Sequence, residues 1–387
     1  MKRPKLWKIR REFARVREQV GRALAAVTTE PLQQALYDRR AGKSVSRFRT
    51  GRSLGPNVAI FVLYQPKGLL ASTLLTVDHL VGQDWSVFVI SNAPLSTADH
   101  TALSQRATAI LQRPNVGYDF GAYREGIRYL EQLGHVPDRL ILMNDSTWFP
   151  LRLTDDTLAR MAALNVAMAG HIYKIESSEK RGRDHLESHL LMFDRQMLSS
   201  AAFARFWRDY RMSSDRAATV ARGEKALTQL ALAEGLSVQG LLSGDTMADI
   251  LQALPDAALL QAVTHTVHHR DDARQLCAAL QKDAALGLPW RDRYTDWVRT
   301  ALSNSRQHLL SATFIDPAMV HGGLGFVKKA SDHRHQLGRR AVLRAADEGR
   351  IPALDPMVRA EIEQAIARWT PPQDWRTSPG EVRRDEL

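Results

Sequence analysis

The segment Val58-Ala-Ile-Phe-Val-Leu-Tyr64 constrains the fold more than any other: it is a short apolar run closed by Pro56 and Pro66. Such a run reads as a strand buried on both faces. A helix is predicted over Leu69–Val81, a second strand over Trp85–Ser91 and a helix over 97–111 with a short edge at Leu111. Arg124–Leu133 then reads as a helix and Leu140–Met143 as a third buried strand. Alternation of strand and helix predicts a parallel sheet covered on both faces, with ligands beyond the carboxyl ends of the strands. After Pro150 the pattern is mostly helical. Leu190–Phe193 and Ser237–Leu242 are the expected strands, among helices at Ser199–Tyr210, Gly223–Gly235, Asp249–Gln281 and Tyr294–Leu302. The proline-containing tail from Pro371 reads as poorly ordered.

The net charge of +11 would suggest a nucleic-acid partner if it covered a folded face, so its location decides its meaning. Residues 1–52 hold fifteen Lys/Arg against four acids, which leaves 38 basic and 38 acidic residues elsewhere. The neutral body argues against nucleic acid. In the arm, Leu6, Ile9, Phe13, Val16, Val20, Leu24 and Val27 fall on one helical stripe with Lys and Arg on the other faces. Three partners suit this basic amphipathic helix: the protein's own body, an anionic membrane surface, or another chain. Trp7 and the charge favour the membrane. Residues 41–56 read as a linker. The single cysteine, Cys277, excludes an internal disulfide and reads as a small buried hydrophobe. With no apolar run of spanning length and no signal-peptide core, the expected location is cytoplasmic, peripheral at the inner face of the membrane.

Three polar clusters can carry chemistry. In Asn115-Val-Gly117-Tyr118-Asp119-Phe-Gly121, two glycines permit a tight turn and close approach of a ligand, and Asp119 can accept bonds from sugar hydroxyls. The same residues also describe a strand-to-helix turn with Asp119 as cap. Asn144-Asp145-Ser146 follows a strand and can hold a metal or a diphosphate, or simply turn the chain. In Gly223-Glu224-Lys225, Glu224 either complements a helix dipole or serves as a base in a cleft. The pairs His185/His189 and His265/His269, each four apart, are incidental or share a helical face as metal ligands.

Together the clusters resemble the rhamnan synthesis protein F family of bacterial cell-surface polysaccharide glycosyltransferases. The matching stretches are Asn115–Tyr123, Leu142–Ser146, Glu187–Phe193, Phe203–Trp207, Asp316-Pro317 and Gly325–Lys329. The resemblance implies a glycosyltransferase A-like, Rossmann-type mixed sheet flanked by helices. It places Asn144-Asp145-Ser146 where that fold carries its aspartate-any-aspartate motif. Both outer aspartates are replaced, so the usual divalent cation (Mg or Mn) lacks its ligand set, and Asp145 is its best remaining ligand. Gly223-Glu224 is similar to the glycine-glutamate-aspartate segment of the catalytic helix, with Lys225 at the aspartate position.

On this resemblance the chain moves a sugar, plausibly rhamnose from a deoxythymidine diphosphate donor, onto a lipid-linked or cell-surface glycan. Glu224 is then the base. Asn115, Gly117, Tyr118, Asp119, Gly121, Arg124, Asn144, Asp145, Ser146, Lys328 and Lys329 are the expected donor-side residues, the last two and Arg124 as cations for the departing diphosphate. The alternative is a non-catalytic partner in a polysaccharide assembly complex. The expected organisation is a basic arm and linker at 1–52, a catalytic domain at 53–330, and a helical extension and tail at 331–387.

Overall fold

The computed structural model describes residues 28–175, 184–303 and 308–369. The amphipathic stripe Leu6–Val27 and the tail from Pro371 lie outside the described residues. Strands β1 (Ser46–Arg49), β2 (Asn57–Leu63), β3 (Ser86–Ser91), β4 (Ala109–Gln112), β5 (Arg139–Asn144), β7 (Met168–Lys174), β8 (His185–Leu186), β9 (Leu190–Asp194) and β10 (Val238–Leu242) form one nine-stranded sheet. Its order is β1-β4-β3-β2-β5-β9-β7-β10, with β8 beside β7. A separate ribbon pairs β6 (Thr147–Trp148) with β11 (Val327–Lys328).

The sheet is mixed, not parallel throughout. The block β4-β3-β2-β5 is parallel, as alternating strands and helices require, but β1, β9 and β8 run antiparallel to their neighbours. Among the described residues between β7 and β9 there is no helix, and β9 pairs antiparallel with both β5 and β7. Strand β2 shows why the run at Val58 is apolar at every position. Val58, Ile60 and Val62 face a core shared with helix Tyr118–Gln132 and the aromatic helix Ala201–Asp209. Ala59, Phe61 and Leu63 face the opposite core, built from helix Ala71–Gly82 and the C-terminal helices. Fully burying one such side chain contributes on the order of 1.5–3 kcal/mol.

Several expected boundaries move. The helix expected over 97–111 ends at Ser104 because Ala109–Gln112 pairs with β3. Helix Tyr118–Gln132 begins six residues before the expected Arg124, directly after Gly117 in the left-handed region. The helix expected over Asp249–Gln281 is three helices, Gly244–Gln252, Asp256–His265 and Asp271–Ala285, with Pro255 at the first break. Cys277 is buried, its thiol pushed up to about 12 chiefly by burial.

The region read as a linker contains β1, and helix Thr29–Ser44 packs on the body. Asp38 receives two bonds from Arg124, at 2.8 and 3.0 Å. Tyr37 accepts from Arg113 at 2.9 Å, and Gln34 bonds the backbone of Tyr210 and Met212. At the other end, helix Pro356–Ala367 sends Glu361 against Ser72 and Trp148, whose indole donates at 2.8 Å. The described parts of both termini are thus tied to the body by polar contacts, most of them partly buried.

Candidate functional site

Asn144 is the last residue of β5 and the hub of a polar cluster at that strand's carboxyl end. Its Nδ2 donates to Asp119 Oδ2 at 2.9 Å and its Oδ1 accepts from Ser146 N at 3.1 Å. Asp145 Oδ2 accepts from Tyr64 N at 3.0 Å and Gln65 Nε2 at 2.9 Å, which ties the triplet to the end of β2. Asp119 and Asp145, 26 residues apart in sequence, therefore belong to one polar cluster, close enough for their charges to repel. Burial pushes the Asp119 carboxyl up to about 6, with repulsion from Asp145 next and a smaller contribution from Glu224, against the attraction of Arg216. Arg216, which sequence reasoning passed over, is exposed at the start of helix Arg216–Thr219.

Glu224 approaches the same cluster from a six-residue π-helical turn, Val220–Lys225. The turn continues helix Arg216–Thr219, capped by Asp215, straight into Ala226–Ala233. Glu224 is consequently inside a continuous helical segment, not in a first turn, so the dipole reading of its carboxylate falls. Single π turns widen a helix locally and re-aim the side chains they carry. Gly223 permits this one, because a Cβ there would lie 2.6 Å from the Phe120 ring. Glu224 Oε1 lies 3.1 Å from His185 Nε2, while Oε2 accepts from Ser188 N at 3.1 Å and Ser188 Oγ at 2.5 Å. Burial alone would raise this carboxyl, but the bonds from His185 and Ser188 hold it below the usual range.

A short ribbon carries the two expected lysines. β11 pairs antiparallel with β6, and Lys329 N donates to Ser146 O at 2.8 Å, so the Gly325–Lys329 segment is stitched onto the Asn144–Ser146 triplet. Lys329 Nζ sits 5.6 Å above the Trp148 ring, and burial lowers its ammonium against the attraction of Asp145 and Glu361. Lys328 Nζ instead pairs with Glu187 Oε2 at 3.0 Å. Burial, the largest influence, raises the Glu187 carboxyl, but Lys328, His189 and Lys174 together outweigh it and keep the group ionised. His189 packs at a tilt against Phe326, with ring centroids 4.2 Å apart, and is depressed to about 4, first by burial and then by Lys328.

Not every expected donor-side residue belongs to this cluster. Arg124 is 1% exposed and bound to Asp38 and, at 3.9 Å, Glu125, so its guanidinium serves the junction with helix Thr29–Ser44. At the two glycines the close approach on the Cβ side is the protein's own: a Cβ on Gly117 would meet Met212 at 2.8 Å, and one on Gly121 would meet Val116 O at 2.2 Å. Both are needed for close packing of the protein on itself. Asn115 is exposed on the loop before them. Tyr118, also left-handed with φ 50°, is exposed and donates from its hydroxyl to Ser214 O at 2.9 Å. The histidine pairs share no helical face. His185 is in β8 beside Glu224, His189 follows it toward Phe326, and His269 lies against Thr313 at 3.1 Å, away from His265 at the end of a helix. The sequence gives no sign of the role of His185 and Ser188 beside Glu224, because they gain it only when β8 folds over the π turn.

The donor set does not suit a divalent cation. Among the described residues no three His, Cys, Asp or Glu side chains are grouped to hold one. Asp145 Oδ2 already faces two N–H donors, Tyr64 N and Gln65 Nε2, which leaves Oδ1 as the one oxygen of this carboxylate open to a cation.

The family model of rhamnan synthesis protein F matches residues 87–264. This is the family that the motifs resemble, and the matched stretch holds Asp119, Asn144–Ser146, Ser188 and Glu224 but neither Lys328 nor Lys329. An uncharacterized protein of Sinorhizobium fredii (strain NBRC 101917 / NGR234), y4gN, is 32% identical over 248 residues, which are 64% of this chain. The match spans 63% of that relative's length. Among solved structures, the mannosyltransferase PcManGT from Pyrobaculum calidifontis, in complex with GDP-Man and Mn2+, aligns over 90% of each chain at 12% identity with a TM-score of 0.31.

Proposed function

We propose that the chain is a glycosyltransferase that binds a nucleoside-diphosphate sugar in the cleft between Asp119, Asp145 and Glu224. The observation that carries this reading is the convergence of three carboxylates and Lys329 at the carboxyl end of β5. The match to rhamnan synthesis protein F supports it, and rhamnose on a deoxythymidine diphosphate is the donor that the family name suggests. The acceptor is a lipid-linked or cell-surface glycan.

Glycosyl transfer joins the acceptor oxygen to the anomeric carbon as the bond to the diphosphate breaks, and the acceptor's proton must go to a base. Glu224 is that base: its carboxylate is held ionised by His185 and Ser188, which orient it through both oxygens. Asp119 and Asp145 serve the donor's hydroxyls. Lys329 and Arg216 offset the negative charge on the leaving diphosphate, a role that positioned cations perform well where water is excluded. A second reading rests on Asp119, whose carboxyl at about 6 is better matched than Glu224 to accept a proton near neutrality.

The test is a transfer assay on Glu224→Gln and Asp145→Asn with nucleotide-sugar binding measured in parallel. Glu224→Gln should lower turnover by roughly 10²–10⁴-fold and leave donor binding unchanged, whereas Asp145→Asn should weaken both. Full activity in Glu224→Gln with loss in Asp119→Asn would move the base to Asp119. Donor binding without turnover under any acceptor would favour a partner in an assembly complex.

No described helix is long and apolar enough to cross a membrane. Peripheral attachment to an anionic cytoplasmic surface falls to residues 1–52, whose eleven excess positive charges each contribute on the order of 1 kcal/mol near such a surface.

A further inference from the structure

A second concave site lies among the C-terminal helices and shares no lining residue with the cleft. It is a cavity of about 320 Å³ between the end of helix Asp256–His265, the turn that follows it, and helix His333–Asp347. Its wall carries Arg274, Arg340, Arg344 and Arg350 with His265 and His268, against one acid, Asp316. Asp316 is already matched, because it pairs with Arg350, which also holds Glu348 Oε2 at 2.7 Å. Arg350 still has a buried Nη2 with no hydrogen-bond partner among the described residues, and so does His268 at Nδ1.

The two exposed arginines sharpen the point. Arg340 and Arg344 are one turn apart on the same helix, both line the cavity, and no described carboxylate lies within ion-pairing distance of either. Like charges at that spacing repel. Unpaired buried donors likewise disfavour the folded state until something accepts their bonds. An anion in the cavity satisfies both, and a phosphate group fits best because its oxygens accept from several guanidinium forks at once.

We propose that this cavity is a binding site for a phosphate-bearing ligand, held by Arg340, Arg344 and the free Nη2 of Arg350. The ligand's phosphate comes either from a soluble diphosphate or from a lipid headgroup, and both present the same chemistry to these residues.

Isothermal titration of the full chain with inorganic diphosphate at 0.15 M salt tests the site. The expected result is binding that weakens at least tenfold in Arg340→Glu/Arg344→Glu, and in the same direction in Arg340→Gln/Arg344→Gln. Both substituted positions are exposed, so in Arg340→Gln/Arg344→Gln, where the repulsion is relieved, the unliganded melting temperature should hold or rise. Asp145→Asn, in the other cleft, should leave this component unchanged, which separates the two sites. Sedimentation with neutral lecithin vesicles, with and without phosphatidic acid, identifies the source. Retention that needs both phosphatidic acid and the two arginines assigns a lipid headgroup, and diphosphate binding without such retention assigns a soluble ligand. Diphosphate and vesicle binding equal in wild type and both double variants would overturn the proposal.

Discussion

Asp119→Asn should make the protein more stable above about pH 4, with the full gain above about pH 6. The Asp119 carboxyl is raised from 3.8 to about 6, first by burial and then by Asp145, so the folded chain holds its proton where the unfolded chain has released it. Because the folded-state value is the higher one, stability falls as pH rises from about 4 to about 6 and stays reduced above that. The full difference corresponds to about 3 kcal/mol, and partial solvent access brings it to about 2–3 kcal/mol. Asparagine keeps the shape and still accepts the Asn144 bond, but it never carries the charge. For 387 residues, with an unfolding entropy of about 2 cal/mol/K per residue, the gain at pH 8 is about 3 °C in melting temperature. The gain should vanish near pH 4. Thermal unfolding of wild type and Asp119→Asn across pH 4–8 measures it. An asparagine variant that is less stable at pH 8, or stabilised equally at pH 4 and 8, would refute the electrostatic account of this cleft.

Asp38→Asn leaves the buried Arg124 guanidinium with only Glu125 at 3.9 Å, and urea unfolding should show a loss of about 1–3 kcal/mol, less than for an isolated buried charge because Asp38 is partly exposed. Gly223→Ala puts a methyl 2.6 Å from the Phe120 ring and should cost about 1–3 kcal/mol in the same experiment while displacing Glu224 and lowering turnover. Removal of residues 1–27 should leave a folded protein with weaker binding to anionic vesicles. Removal of 1–52 should lower the melting temperature as well, since Tyr37, Asp38 and β1 go with it.

The strand-helix alternation was legible because β2, β3 and β5 are buried on both faces and their sequences are apolar at nearly every position. The reversal of β9 was not, since a buried strand has the same composition in either direction. Asp119 and Asp145 were legible as a pair because each lies at the end of a segment aimed at the same sheet edge. Arg124 misled for a physical reason: a basic residue near a candidate site looks available until its carboxylate, 86 positions earlier, is found. Gly117 and Gly121 misled similarly, since a glycine signals close approach without saying whether a ligand or the protein approaches. His185 and Ser188 left no local signal, because their bonds to Glu224 span about 36 residues and form only on folding.

The central claim is that the cleft at Asn144 holds a nucleoside-diphosphate sugar. Its most direct test is the thermal shift of wild type and Asp145→Asn against a panel of nucleotide sugars and free nucleoside diphosphates. At 100 times the dissociation constant a bound donor adds about 2.7 kcal/mol of stability, about 3 °C for a chain of this length. The account predicts that at least one deoxythymidine, uridine or guanosine diphosphate sugar gives such a shift in wild type, and that Asp145→Asn abolishes it. No shift with any of them, or an equal shift in Asp145→Asn, would contradict it.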